Sequence, residues 1–248
     1  MYQGLIYSKI LIKKNMKLIS LILIGIILVS SCKKKQNPTS QSSTVVKDIN
    51  GNNYDTVKIG KQVWLKQNLK VTSLNDGTSI LKVTNDTQWS TLSTSGYCDY
   101  KNDESNSSVY GRLYNWYTVN TQKICPSGWH VPSKSEWQEL SDYLGGDSVS
   151  GGKLKEIGST HWLDASDLTK PNVGATNSSA FTALPAGFRE TNGLFDGKSW
   201  GTLWWSTTEG IDGGQSGVWH PILRTDIKTI ENDIDDKRIG VSIRCLKD

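Results

Sequence analysis

CPSGWHVPSKSEW, residues 125–137, is the stretch whose reading decides the fold. Ser133 and Glu136 stand three apart, the spacing of a capping box in which the serine hydroxyl caps the first helical turn and the glutamate reaches back. Pro132 and Trp137 occupy the flanking positions of a hydrophobic staple. Trp137, Leu140, Tyr143 and Leu144 then recur at helical spacing, and Gly145-Gly146 supplies the stop. The spacing predicts a helix of about eleven residues, reached through a turn that carries both a cysteine and a tryptophan. The remainder of the chain must pack against that unit.

Far upstream lies a targeting segment. Lys9, Lys13, Lys14 and Lys17 are basic, residues 18–29 form an apolar run interrupted by Ser20 and Gly25, and Ser30-Ser31-Cys32 follows. Basic, apolar, then small is the layout of a secretory signal. A run of this length falls short of the about 20 residues that a membrane span requires. With Val29-Ser30-Ser31 ahead of it, Cys32 resembles the lipobox cysteine of bacterial lipoproteins, which becomes the lipid-bearing first residue; Val29 stands where leucine is usual. The competing reading is a short uncleaved anchor. Met16 opens a tidier signal than Met1, so either is a candidate start. The expected organisation is a lipoprotein signal over residues 1–32, a polar flexible tether over 33–46 and one domain over 47–248.

Charge then needs correcting for location. The chain holds 28 Lys and Arg against 24 Asp and Glu, but seven of those lysines lie between Lys9 and Lys35. The domain itself therefore carries 21 basic against 24 acidic residues, and no basic patch interleaved with aromatics argues for nucleic acid. Ten Trp and nine Tyr against three Phe suit a domain of short strands and loops, in which amphipathic rings fill the core and use their polar edges.

Turn signals at residues 48–53 and at Gly60-Lys61 frame a hairpin with arms near residues 54–59 and 62–65. Leu113, Trp116 and Tyr117 predict a first helix over residues 110–119. Residues 151–162 read as irregular, 181–188 as a strand with an edge proline, 203–208 as strand-prone, and 240–246 as an alternating core strand.

These segments resemble the Fibrobacter succinogenes major paralogous (FISUMP) domain. The likeness is carried by DING (48–51), VWLKQNL (63–69), YGRLYNWY (110–117), residues 125–137, GGKLK (151–155), residues 181–187, WWSTTE (204–209) and SIRC (242–245), in order, across about residues 47–248. The resemblance implies a surface-tethered lipoprotein of a Bacteroidetes-like bacterium, in the outer membrane and facing the periplasm or the cell surface. A remoter likeness is to the C-type lectin-like fold: an α+β single domain of short antiparallel strands, two helices and long loops, a fold that also serves formylglycine-generating enzymes and adhesins. Its calcium-lectin triplets are absent, as are the paired active-site cysteines of those enzymes.

With Cys32 lipidated, three cysteines remain, implying one disulfide and one odd thiol. The favoured pair is Cys125 with Cys245, because both border elements that such a fold brings together; Cys98 with Cys125 competes, and Cys98 is otherwise a buried thiol. His130, His161 and His220 are too dispersed for a zinc pattern, and His130 reads as a structural hydrogen-bonding residue. No cofactor is expected. Calcium is a weaker alternative, with Glu209 and Asp226 as its candidate ligands. Trp64, Trp129, Trp137 and Trp204 lie in patterned elements and read as core; Trp89, Trp162, Trp200 and Trp219 lie in polar loops. Ligand contact is expected over residues 187–223 and not on the central helix, through Trp200, Trp219, Arg189, Glu209, Asp212 and, just beyond, Arg224. The function expected is a non-catalytic binding or adhesion module for a glycan or a protein. An enzyme on a formylglycine-generating-like scaffold and a purely structural envelope protein are the alternatives.

Overall fold

In the computed structural model, which describes residues 45–163 and 172–248, β1 (Val46–Lys47) and β2 (Asn53–Tyr54) pair around a turn that Asp48 closes. Its carboxylate accepts from the Asn50 and Asn52 amides, each at 2.9 Å. The expected hairpin follows as β3 (Thr56–Ile59) and β4 (Gln62–Leu65). Gly60 at its tip adopts φ +61°, and a Cβ there would stand 2.9 Å from the Tyr143 ring, so the turn and the close approach both demand glycine. The signal segment, the lipidation candidate Cys32 and residues 33–44 of the tether lie outside the described residues.

β5 (Leu81–Lys82), α1 (Asp86–Ser90) and β6 (Gly96–Cys98) precede a correction. The single helix expected over 110–119 is three elements: α2 (Glu104–Tyr110) ends where the prediction begins, then come β7 (Leu113–Tyr114) and α3 (Trp116–Val119). Gly111 stops α2 at φ +80°, with no room for a Cβ beside Asn68. Tyr114 leaves helical geometry to exchange backbone hydrogen bonds of 2.9 and 3.1 Å with Val241. Asn115 restarts the helix by capping the Thr118 amide. Long-range pairing has overridden a local helical period here.

The deciding stretch folds as read. After β8 (Trp129–His130), α4 (Lys134–Tyr143) opens with a complete capping box: the Glu136 amide donates to Ser133 Oγ at 3.3 Å and the Ser133 amide donates to Glu136 Oε2 at 2.7 Å. Trp137, Leu140 and Leu144 are buried, but Tyr143, on the flank of that stripe, is 66% exposed. The segment expected to be irregular begins instead with α5 (Asp147–Leu154). Its glycines hid it: a Cβ on Gly151 would lie 2.5 Å from the Thr229 carbonyl oxygen, so the helix gives up propensity to press against backbone. The described residues thus hold five α-helices and not the expected two.

β9 (Ala186–Arg189), β10 (Phe195–Lys198), β11 (Gly201–Leu203), β12 (Glu209–Asp212), β13 (Gln215–Arg224) and β14 (Glu231–Asp235) form one sheet in the order β10-β9-β11-β13-β12, with β14 also on β13. A second sheet runs β3-β4-β15-β8, where β15 is Leu246–Lys247. Among the strands of the described residues pairing is antiparallel except for β11 with β9 and β5 with β6, and the class is α+β. Residues 240–246 are buried as expected, yet they form no single ladder. Gly240 bonds Arg189, Val241 bonds Tyr114, Ser242 bonds Leu203 and Trp205, and Ile243 and Cys245 accept from Leu69 and Leu65. The terminal run is a seam that joins the sheets.

Cys125 and Cys245 form the disulfide, 120 residues apart in sequence, and Cys98 is a free buried thiol pushed up to about 12 by burial. Beside the seam, Trp64, Trp137, Phe181 and Trp204 stack, with centroids 4.7 Å apart for Trp64–Trp137 and 5.7 Å for Trp137–Trp204. Several indole N–H groups are used as the composition suggests, Trp204 donating to Asn68 Oδ1 and Trp205 to the Tyr114 carbonyl, both at 2.8 Å, whereas those of Trp89 and Trp137 are buried with no partner among the described residues.

Candidate functional site

The central helix itself bounds a concavity. A groove of about 920 Å³ runs along the outer face of α4, past Lys134, Ser135, Gln138, Glu139, Asp142 and Tyr143. The β3–β4 turn and Thr208 complete its walls. From Lys134 to Tyr143 the helix rises about 14 Å, so the groove is elongated. Both ends are fixed. At the first turn the Lys134 amide donates to Thr208 Oγ1 at 3.0 Å, and at the last turn the Tyr143 ring covers Gly60. Between them Gln138 donates to Asp142 Oδ1 at 3.0 Å. The groove thus offers an aromatic platform at one end and planar amide and carboxylate groups along its length.

A second cavity, of about 520 Å³, opens on the other side of the capping box and is lined by Trp129, His130, Glu136, Thr207 and Asp248 among others. His130 Nδ1 lies 2.7 Å from Asp248 Oδ1 and Nε2 lies 2.9 Å from Glu136 Oε1. Burial pulls the imidazole pKa down, but the hydrogen bonds to Asp248 and Glu136 outweigh it and leave the pKa raised. Glu136 is held below the usual carboxylate value: burial raises it, and the Ser133 amide and hydroxyl together with His130 more than reverse that. His130 is a hydrogen-bonding residue, as read, but one with two carboxylates. Trp129, read as core, is half-buried at this rim.

The residues singled out over 187–224 do not converge on one face. Arg189 is fully buried; it donates to the carbonyls of Gly193 at 2.8 Å and Val83 at 2.6 Å and ion-pairs with Asp86 at 2.8 Å. Trp219 is 5% exposed and belongs to the core, which removes both residues as ligand contacts. Their polar neighbours made them look like loop residues, whereas β9 and the ten-residue β13 carry them inward. Trp89 and Trp162 are likewise buried. Trp200 remains half-buried, with the Arg224 guanidinium 5.0 Å over its ring. Asp212 closes β12, paired across its turn with Gln215. The two calcium candidates are engaged with cations, Glu209 with Lys237 and Asp226 with Arg224, each at 2.7 Å. In the same region Lys155, fully buried, donates from Nζ to the carbonyls of Val173, Arg224 and Ile227 at 3.0, 2.8 and 2.7 Å. The groove on α4 went unread because nothing in a helical period distinguishes an exposed aromatic on the flank from one in the core.

An α+β domain with a disulfide-tied terminal seam and a groove on its central helix is the class that these features define. Residues 57–247 match the Fibrobacter succinogenes major domain, and the chain belongs to that family. No curated protein and no solved structure matches it.

Proposed function

We propose that the chain is a cell-envelope lipoprotein, anchored through Cys32, whose domain is a non-catalytic module that binds a glycan in the α4 groove. The observation that carries this is Tyr143, 66% exposed at the end of an elongated groove along which Gln138, Glu139 and Asp142 present polar groups. A sugar stacks its C–H face on an aromatic ring and satisfies its hydroxyls on amides and carboxylates, which Gln138, Glu139 and Asp142 supply. An apolar helix would leave those groups unpaired. The finer fold class proposed is C-type lectin-like, supported by the order of strand, helices, long loops and closing strand and by the disulfide that ties the end of the chain to the approach of α4.

The test is a glycan array probed with the full chain, followed by titration of any hit. Tyr143→Ala should weaken binding at least about tenfold with an unchanged melting temperature, because an aromatic hot-spot anchor is worth ~2 kcal/mol or more. Unchanged affinity would remove Tyr143 from the site. For the anchor, fatty-acid labelling should tag the wild type and spare Cys32→Ala. The enzyme reading would rest on the Glu136–His130–Asp248 chain, whose imidazole lies between two carboxylates, and would require a turnover lost in His130→Asn.

A further inference from the structure

The α4 groove continues beyond the flank of its helix. A hollow of about 280 Å³ adjoins it and shares Lys61, Gln62 and Glu139 with its lining. The same hollow shares Glu136 and Asp248 with the cavity at the capping box. Glu136 and Glu139, three apart on α4, are neighbours on the helix surface, so the lining passes around the helix without crossing the buried Trp137 and Leu140. At the first junction Gln62 is a fixed floor: its Nε2 donates to the Glu136 carbonyl at 2.9 Å and its Oε1 accepts from the Trp64 indole at 3.1 Å. Lys61 and Glu139 are exposed there. At the second junction Glu136 and Asp248 are held together through His130.

An aromatic ring stands toward each end of this track. Tyr143 closes α4 in the groove, and the half-buried Trp129 lines the cavity at the capping box, where β8 pairs it with Lys247 of β15. Trp129 lies just before α4 opens, and the helix itself rises about 14 Å to Tyr143, more than one sugar ring covers. Charge along the track is mixed. Lys61, Lys134 and Lys247 are countered by Glu139 and Asp142, while the carboxylates of Glu136 and Asp248 are already taken up by His130. A cleft that recruits a charged polymer needs a field of one sign, and none of the three hollows has one.

We infer that the track binds one neutral, linear glycan chain along its whole length, with a sugar ring on Tyr143 and another, several units along, on Trp129. This inference rests on the glycan reading of the α4 groove and extends it to the class of ligand. The groove of about 920 Å³ and the cavity of about 520 Å³ each match a single small ligand, for which pockets of about 300–1,000 Å³ are usual, so the joined track suits a longer one. The floor and both platforms are set on paired strands and a capped helix, so a chain laid across them meets a site that is already ordered.

The test is calorimetric titration of the detergent-solubilised full chain with cello-, xylo-, manno-, malto- and laminari-oligosaccharides, each as dimer and hexamer, and with hexamers of galacturonic acid and glucosamine as charged comparators. At least one neutral hexamer should bind at least about tenfold more tightly than its dimer. Trp129→Ala should weaken the hexamer and spare the dimer, whereas Tyr143→Ala should weaken both. Val63 lines the middle hollow and not the groove, so Val63→Cys alkylated with N-cyclohexylmaleimide should hold the hexamer no better than the dimer, while the same variant left unlabelled binds as the wild type does. Cys98 is buried and takes no label in the folded domain. If Trp129→Ala does not fold, the labelled protein decides. Hexamers no tighter than dimers, or a hexamer indifferent to the label, would overturn the extended track and leave the glycan reading standing where the dimers still need Tyr143. Tighter binding of a charged hexamer would overturn the neutral class, and no binding by any sugar would overturn both readings.

Discussion

His130 shows how much one side chain can be asked to hold. Its ring joins Glu136 of the α4 cap to Asp248, and the two carboxylates raise its pKa despite burial. A histidine that binds its proton more tightly in the folded state contributes stability that is fully present below the ordinary imidazole value, about 6.5, and lost as pH rises through the raised value. The melting temperature should therefore decline across the neutral range in the wild type, and His130→Gln should flatten that decline. Identical pH profiles for the two proteins would show that the imidazole carries no such linkage. The residue scale is also where sequence reading fell short. Arg189 and Trp219 sit among Gly, Ser, Thr and Asp, a composition shared by exposed loops and by strands whose neighbours face outward. Composition alone assigns no direction to a side chain.

At the scale of elements, the legible parts were those whose signals are local. The α4 capping box, its glycine stop and the Gly60 hairpin are specified by residues within a few positions of one another, and all three form as read. Ser133→Ala removes the cap and frees Glu136 from the Ser133 hydroxyl, which should cost about 1 kcal/mol and lower the melting temperature by roughly 2–4 °C for a domain of this size. A null effect in thermal melts would mean that packing of Trp137 and Leu140 alone holds the helix start. The misread elements were those decided at long range. Residues 110–119 leave helical geometry at Tyr114 because Val241 offers a strand partner, and α5 keeps two glycines because backbone from residues 228–229 and 174 crosses it closely. No window of neighbouring residues contains either fact.

For the whole molecule, the seam of residues 240–246 matters most, since it bonds to Arg189, Tyr114, Leu203, Trp205, Leu69 and Leu65 in turn. The Cys125–Cys245 disulfide fixes that seam to the approach of the central helix across 120 residues. In the chain-entropy model closing such a loop is worth about 4–5 kcal/mol. Reduction should lower the melting temperature sharply, while Cys98 stays closed to alkylation until the domain unfolds. Rapid native labelling of Cys98 would contradict its burial. The α+β class, the disulfide and the family were legible at this scale because they rest on the order of many segments. The groove was not, because it arises between a helix flank and a distant hairpin tip.

Lys155 gives the loops around it an unusual independence. Its ammonium occupies a cage of three carbonyl oxygens, from Val173, Arg224 and Ile227, which is the kind of environment a free metal ion would otherwise fill. Here the cation is delivered on a covalent arm and cannot dissociate. The domain should thus be indifferent to chelators, with the same melting temperature in EDTA and in excess calcium. Lys155→Ala would empty the cage and strand three acceptors, at a cost of about 3 kcal/mol or more. Added n-butylammonium, a detached copy of the missing arm, should restore part of that loss. Loops that many proteins must assemble around a scavenged ion are, in this chain, gathered around a side chain supplied at synthesis.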